Sequence, residues 1–151
     1  MGTKMIQPHS AADREQVVDT MIGLTRLTNL HRAIVVGSCS MELYLALRRR
    51  GFLRVATAAT CRIPKGQHSV GLIAGHNSLQ AIEAALAEIS PFLSTSAAVA
   101  VLIDSRTIGA GRRIRDKLEQ LDFRIEAGVR CREGFVLSAI RRGFGQMENA
   151  A

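Results

Sequence analysis

The sequence predicts a three-layer α/β fold whose mostly parallel sheet ends in an antiparallel β-hairpin. Three observations favour this fold: short apolar runs alternate with amphipathic stretches of helical period, one apolar run leads through a tight turn directly into a helix, and a short turn joins the last two apolar segments. Strands that alternate with helices are typical of a parallel sheet. The 151 residues suffice for one domain with its own core. We therefore expect a flexible tail over residues 1–9 and a single domain over residues 10–151.

The charge and the cysteine content of the sequence limit the expected partners and the expected cellular compartment. The formal net charge of +7 and the pI near 10.3 permit a polyanionic partner such as nucleic acid or an acidic lipid surface. The three cysteines are widely spaced and form no C-x-x-C, so we predict neither a disulfide framework nor a metal site, and a cytoplasmic location. No apolar run approaches the roughly 18 residues of a membrane span, and no membrane partner is predicted.

The stretch that best defines the fold is Ala33–Val36, an apolar run that suits a strand buried on both faces. The next residues, Gly37–Cys39, suit a tight turn. Ser40 is the predicted N-cap of the following helix, and Gly51 its end. Because the first turn of a helix favours anions, this strand, turn and helix indicate a nucleotide-binding α/β sheet.

An amphipathic helix is predicted ahead of this strand, over residues 11–30. Ser10 is its predicted cap, and Asp13 lies in the first turn, where the helix dipole favours acidic groups. Apolar residues recur at helical spacing, at Val17, Met21, Leu24, Leu27 and Leu30. We expect this helix to cover the sheet; a dimer contact is the alternative.

The remaining elements follow from the same periodicities and stop signals. Further strands are predicted over residues 54–60, 70–74, 98–103, 123–132 and 135–140. Further helices are predicted from a cap at Asn77 or Ser78 to near Pro91, and over residues 108–121.

The connection between the second and third strands is short. Residues 61–67 contain Pro64 and Gly66 and form a loop, whereas a parallel crossover normally needs roughly 10–12 residues. Either the loop runs extended and the two strands are parallel, or residues 64–67 are a turn and the strands pair antiparallel. We favour the parallel arrangement.

Four stretches of the chain together carry a resemblance to a known family. They are Ala33–Gly37 and Glu42–Phe52 at the front, and Leu118–Phe123 and Gly134–Arg142 at the back. With the order of elements over residues 32–144, they resemble the class I methyltransferases. The resemblance implies a Rossmann-like sheet closed by an antiparallel hairpin, with S-adenosylmethionine as cofactor.

The candidate site follows from the rule that open α/β sheets bind ligands beyond the carboxyl ends of their strands, near a reversal of strand order. The predicted cofactor-binding residues are Gly37, Ser38, Cys39, Ser40, Thr60 and Gly75, and the predicted substrate-binding residues are His76, Asn77, Asp104 and Ser105. Such a pocket suits a nucleoside or another anionic small molecule. Each residue also has a structural interpretation, as part of a turn, a helix cap or a surface loop, so no catalytic residue is assigned.

The turn after the first strand departs from the pattern that the resemblance implies. Only Gly37 is kept of the family's glycines, since Cys39 and Met41 stand where it usually has others. Val35 stands where the family usually has an acidic residue.

The end of the second strand also departs from that pattern. The family places a carboxylate there, which accepts hydrogen bonds from the ribose of the cofactor, and the matching position falls at Ala59 or Thr60. No Asp or Glu occurs between Glu42 and Glu83. The Thr60 hydroxyl is a weaker substitute, because neutral hydrogen bonds contribute less than charge-assisted ones.

Three hypotheses remain. The departures favour a degenerate protein that keeps the sheet and acts as a ligand-binding, regulatory or dimerising module, with a homodimer as one form. An active methyltransferase acting on a small molecule or nucleic acid is the alternative. A basic nucleic-acid-associated protein is the second alternative; the sequence has one tyrosine, five phenylalanines and no tryptophan, whereas such proteins commonly stack bases on aromatic side chains.

Overall fold

The structure, a computed structural model, describes residues 11–75, 78–103 and 109–141. The predicted tail over residues 1–9 and the predicted cap at Ser10 lie outside them. The strands are β1 (Ala33–Val36), β2 (Val55–Thr57), β3 (His68–Ile73), β4 (Leu93–Ile103), β5 (Phe123–Arg130) and β6 (Phe135–Arg141). The helices are α1 (Ala11–Thr25), α2 (Ser40–Arg49), α3 (Leu79–Ile89) and α4 (Ala110–Gln120), and a 3₁₀ turn, Ser90–Phe92, joins α3 to β4.

The six strands form one sheet in the order β2-β1-β3-β4-β6-β5. Strands β2, β1, β3 and β4 are parallel, whereas β6 is antiparallel to both β4 and β5. The hairpin turn is closed by hydrogen bonds in both directions between the backbones of Cys131 and Gly134. The predicted α/β class, the mostly parallel sheet and the closing antiparallel hairpin are all confirmed.

Strands β2 and β3 flank β1 on opposite sides, and both are parallel to it. The antiparallel alternative for these two strands is therefore wrong. Residues 58–67, which connect them, form turns and contain no helix or strand. Ala58 and Cys61 of this connection pack against the apolar cluster that includes α3 and α4, so the chain crosses the sheet on that face.

Helices cover both faces of the sheet. Val35 of β1 and Leu72 of β3 point to α1 and α2, where Val17, Met21 and Leu47 are buried. Their neighbours along the strands, Ile34 and Ile73, point to the opposite face. There they pack in one cluster with α3 and α4, which contribute Leu86, Ile114 and Leu118. This alternation follows from the period of two along a strand. Helix α1 therefore uses its apolar side to cover the sheet, as predicted, in preference to a dimer contact.

The prediction that α1 continues to residue 30 is wrong, since the helix ends at Thr25. Arg26 takes a left-handed conformation with φ of 55°. Its N–H donates to the carbonyl of Gly23 at 3.3 Å, and the N–H of Leu27 donates to that of Ile22 at 3.2 Å. These two bonds form a Schellman motif, which ends a helix and turns the chain. Leu27, after the helix end, is buried at 6% exposure, so an apolar residue at helical spacing continues the sequence pattern although the helix has ended.

The predicted end of α2 is confirmed, and it uses the same motif. Gly51 has φ of +93°, its N–H donates to Arg48, and the N–H of Phe52 donates to Leu47. Here the left-handed position is occupied by glycine, the residue that tolerates it best.

Several strand limits differ from the prediction. β2 has only three residues, and β5 ends two residues early, at Arg130. β3 begins at His68 and β4 at Leu93, because these two residues pair with each other before the longer ladder from Val70. The polar residues 94–96 masked this start of β4. Within the described residues, no helix combines the length and the apolar character needed to cross a membrane.

Candidate functional site

The candidate site lies at the carboxyl edge of the sheet, between β1 and β3. The chain moves from β1 to β2 in one direction and from β3 to β4 in the other, so strand order reverses here. Parallel strands bring their carboxyl ends to the same edge, and ligand sites of open α/β sheets lie at such a reversal. The site was therefore expected where the loops that follow β1 and β3 meet.

These two loops are in direct contact. Gly37, after β1, has φ of +125°, and a Cβ atom there would overlap the carbonyl oxygen of Ala74. Gly75, after β3, has φ of +89°, and a Cβ there would lie 2.6 Å from the backbone nitrogen of Cys39 and 2.7 Å from the Ser38 hydroxyl. Both positions therefore require glycine.

A hydrogen bond ties the loops together. The hydroxyl of Ser38 donates to the carbonyl oxygen of Gly75. The exposed hydroxyl of Ser38 is thus directed across the reversal point onto the β3 loop. The two loops thus lie with their backbones against each other.

Helix α2 begins at Ser40, and its N-cap is Cys39. The prediction that Ser40 is the cap is therefore wrong by one residue. The N–H of Ser40 donates to the carbonyl of Gly37 at 3.1 Å, which closes the turn and draws Ser40 into the helix. No side-chain cap bond is made, so the helix end presents backbone N–H groups and the positive end of its dipole to this edge.

The end of β2 supplies hydroxyl groups only. Thr60 is exposed, and its hydroxyl lies 2.7 Å from that of Thr57. Ala58 continues the parallel ladder by donating to the carbonyl of Val35 at 3.0 Å. The described loops after β1, β2 and β3 contain no Asp or Glu. Glu42, in the first turn of α2, binds Arg14 of α1 at 3.1 Å.

The four residues predicted on the substrate side, His76, Asn77, Asp104 and Ser105, lie outside the described residues. Their predicted roles stay predictions. The α3 cap is described: the Ser78 hydroxyl accepts a hydrogen bond from the N–H of Ala81 at 3.1 Å. Of the two predicted caps, Ser78 is confirmed.

Sequence reasoning missed a contact at the opposite edge of the sheet. His68 is 1% exposed; its Nδ1 lies 3.3 Å from the carbonyl oxygen of Phe92, and its Nε2 lies 3.8 Å from the sulfur of Cys61. Because a carbonyl only accepts, Nδ1 carries the proton and Nε2 is left as an acceptor. The Cys61 thiol lies 3.8 Å from Nε2 and 3.8 Å from the carbonyl oxygen of Ile63, and its one proton can go to either. Burial lowers the pKa of His68, the bond to Phe92 opposes this shift, and the charge of Arg32 adds to it.

The contact of His68 with Cys61 and Phe92 is not part of the candidate site. His68 is the first residue of β3 and therefore lies at the end of the strand opposite the candidate site. The spacing of Cys61 and His68 gave no signal in the sequence. Among the described residues, no three His, Cys, Asp or Glu side chains are grouped so that they could hold a metal ion.

Comparison with known proteins gives matches in structure only. No protein-family model matches the chain. No curated protein matches its sequence. The precorrin-6y C5,15-methyltransferase of Geobacter metallireducens aligns over 91% of this chain and 92% of its own, at 10% identity and a TM-score of 0.61.

Two further solved structures agree with this likeness. The magnesium protoporphyrin IX methyltransferase of Synechocystis, solved with bound S-adenosylmethionine, aligns over 86% of this chain and 80% of its own, at 11% identity and a TM-score of 0.58. The protein-(glutamine-N5) methyltransferase of Alicyclobacillus acidocaldarius aligns over 94% of this chain and 98% of its own, at 16% identity and a TM-score of 0.53. Such identities show the fold alone. The predicted resemblance is confirmed at this level: the chain has the fold of the class I S-adenosylmethionine-dependent methyltransferases.

Proposed function

We propose that this chain is a degenerate protein of the methyltransferase fold, which keeps the sheet and serves as a ligand-binding or regulatory module in the cytoplasm. The observation that carries the proposal is the contact across the reversal point, where Gly75 packs against Ser38 and Cys39. A cofactor seated between β1 and β3 needs space at this point. Here the two backbones and the Ser38 hydroxyl occupy it.

The chemistry of the edge supports the same proposal. A ribose held at the end of β2 needs an acceptor for its hydroxyls, and the side chains of Ala59 and Thr60 offer one neutral oxygen, which already lies against Thr57. A hydrogen bond to a charged acceptor contributes about 1.5–3 kcal/mol, against about 1 kcal/mol for a neutral one. The edge therefore holds a ribose weakly.

The ligand class follows from what the edge keeps. The first turn of α2 has no side-chain cap and presents its positive dipole end. Anionic small molecules suit this end best. We assign no catalytic residue, because the described residues that follow β1 and β3 at the reversal point are small, and the polar side chains among them are those of Ser38 and Cys39.

The test is calorimetric titration with S-adenosylmethionine and S-adenosylhomocysteine. We expect no heat of binding with either compound at millimolar concentration. Micromolar binding to the unaltered chain would overturn the proposal. Gly37→Val is a poor probe of binding, since its side chain would overlap Ala74 and disturb the fold.

A better probe restores the missing charge at the end of β2. Thr60→Asp supplies a carboxylate at an exposed position, and Thr60→Asn is the matched neutral control. If the carboxylate alone is missing, Thr60→Asp gains about tenfold or more in affinity over Thr60→Asn. If neither variant binds, the result agrees with a site closed by the contact between the loops.

The active methyltransferase remains a second candidate, because the structural relatives include enzymes solved with bound S-adenosylmethionine or S-adenosylhomocysteine. In that case the predicted substrate side, His76, Asn77, Asp104 and Ser105, receives the methyl acceptor. Transfer of a labelled methyl group to metabolite or nucleic-acid extracts, in the presence of labelled S-adenosylmethionine, distinguishes this candidate from the first.

A further inference from the structure

The amino edge of the sheet, opposite the candidate site, carries an unusual surface. Two loops enter β1 and β2 there, and each exposes a leucine: Leu30 is 78% exposed and Leu53 is 64% exposed. Among the described residues these are the two most exposed large apolar side chains. Together with the exposed arginines around them they form what we call the basic corner: Arg26, Leu30, Arg48, Arg49, Leu53 and Arg54.

Hydrogen bonds hold the two loops side by side. The N–H of Ala33 donates to the carbonyl of Arg54 at 2.9 Å, and Nη1 of Arg54 donates to the carbonyl of Leu30 at 3.3 Å. Nη1 of Arg48 donates to the carbonyl of Leu53 at 3.3 Å. The two exposed leucines therefore belong to adjacent backbone segments that arginine side chains hold together.

The charge of the corner is positive. No Asp or Glu occurs in the sequence between Glu42 and Glu83, a span that includes most of the corner. Glu15 and Asp19 of α1, the helix that leads into the first loop, are both bonded to Arg50. Together these two carboxylates exceed the charge of Arg50 by one unit, and the four arginines of the corner still leave its surroundings net positive.

We propose that the basic corner docks the protein on the surface of a membrane that contains anionic phospholipid. Exposed aliphatic side chains ringed by basic residues are typical of peripheral membrane contacts: the leucines enter the boundary of the acyl chains while the guanidinium groups bind lipid phosphates. No spanning helix is required. The proposal departs from the expectation of no membrane partner, and it is independent of the proposed ligand site at the other edge.

Other occupants fit the corner less well. A nucleic acid would favour exposed aromatic side chains, and Tyr44 and Phe52 are half-buried and pack against the core. A second copy of this chain would bring two clusters of arginines together, which like-charge repulsion opposes. The combination of aliphatic tips and positive charge matches a lipid surface.

The test is co-sedimentation of the full chain with sucrose-loaded vesicles of phosphatidylcholine, with and without phosphatidylglycerol. We expect sedimentation with the vesicles that contain phosphatidylglycerol and a loss of binding as salt is raised. Equal binding to both kinds of vesicle, or binding to neither, would overturn the proposal.

Matched variants locate the contact. The double variant Leu30→Ser/Leu53→Ser should lower vesicle partitioning by about tenfold or more. Val129→Ser, on the distant strand β5, should leave it unchanged. Both changes concern exposed positions, so thermal unfolding should be unaffected in each.

A second pair of variants tests the charge. Arg26→Gln/Arg49→Gln removes two charges from the corner, and Arg112→Gln/Arg115→Gln removes two from α4, on the other face of the sheet. The first should weaken binding by about tenfold or more and the second only slightly. Equal losses in the two pairs would mean that net charge alone drives binding and would overturn the assignment to the corner. Preferential binding of single-stranded RNA over vesicles, in a mobility-shift experiment, would overturn it as well.

Discussion

At the scale of single residues, Gly37 shows how closely the candidate site is packed. Two effects exclude a side chain at this position: the φ of +125°, and the overlap that any Cβ would make with the Ala74 carbonyl. Gly66 provides a matched comparison, because its φ of +80° is also positive but a Cβ there meets nothing within 4 Å. Substitution of the two glycines therefore separates the cost of steric overlap from the cost of backbone strain.

We predict that Gly37→Ala lowers the free energy of unfolding by about 3 kcal/mol or more, and Gly66→Ala by about 1–2 kcal/mol. Strain of the left-handed backbone acts in both variants, and overlap with backbone atoms only in the first. Urea denaturation monitored by circular dichroism measures the difference. Equal losses would show that the β1 and β3 loops can separate, which would also weaken the proposal of a closed site.

His68 provides the pH-dependent prediction at this scale. Burial lowers its pKa in the folded state below the usual value near 6.5, the hydrogen bond to Phe92 opposes the shift, and Arg32 adds to it. The unfolded chain therefore binds the proton first as pH falls. We expect the free energy of unfolding to decrease as pH falls below about 6.5 and to be insensitive to this group above it.

The variant His68→Asn isolates this effect, since its amide can still donate to the Phe92 carbonyl while it does not titrate. Thermal unfolding at a series of pH values should show a smaller decrease between neutral and mildly acidic pH in the variant than in the unaltered chain. The same slope in both would mean that His68 is not the group responsible.

At the scale of elements, α1 and α2 end with the same hydrogen-bond motif but different residues. Arg26 and Gly51 both take the left-handed position, and only glycine does so without steric cost. We predict that Arg26→Gly raises the free energy of unfolding by about 0.5–1 kcal/mol and that Gly51→Ala lowers it by about 1 kcal/mol. Urea denaturation checks both, and a loss of stability in Arg26→Gly would show that its side chain contributes more than its backbone costs.

These helix ends also show where sequence reasoning succeeds at this scale. Gly51 predicted the end of α2, because glycine takes the left-handed conformation of a helix end without steric cost. Arg26 gave no such signal, and the buried Leu27 extended the helical pattern past the true end. Likewise, the start of β4 was hidden because residues 94–96 are polar although Leu93 pairs with His68. Local patterns thus predicted the existence and type of elements, and tertiary contacts set their limits.

At the scale of the whole molecule, the sheet topology explains what could be predicted of the site. Gly37, Ser38, Cys39 and Gly75 came together because parallel strands end at the same edge, a property that sequence order alone conveys. The contact between Gly75 and Cys39 depends on the register of β1 against β3 and on the backbone path of each loop. Neither leaves a periodic signature, so whether the loops would lie apart or together was not predictable.

The centre and one edge of the sheet should differ in local stability. β3 lies in the middle of the sheet, paired on both sides, and Val70, Leu72 and Ile73 are at most 1% exposed. β2 is an edge strand of three residues, paired only with β1. In native-state hydrogen exchange, amides of β3 should be protected about as strongly as global unfolding allows, and those of β2 should exchange faster by local opening. If β2 is protected as strongly as β3, and more so as protein concentration rises, a second copy covers that edge, as a homodimer requires.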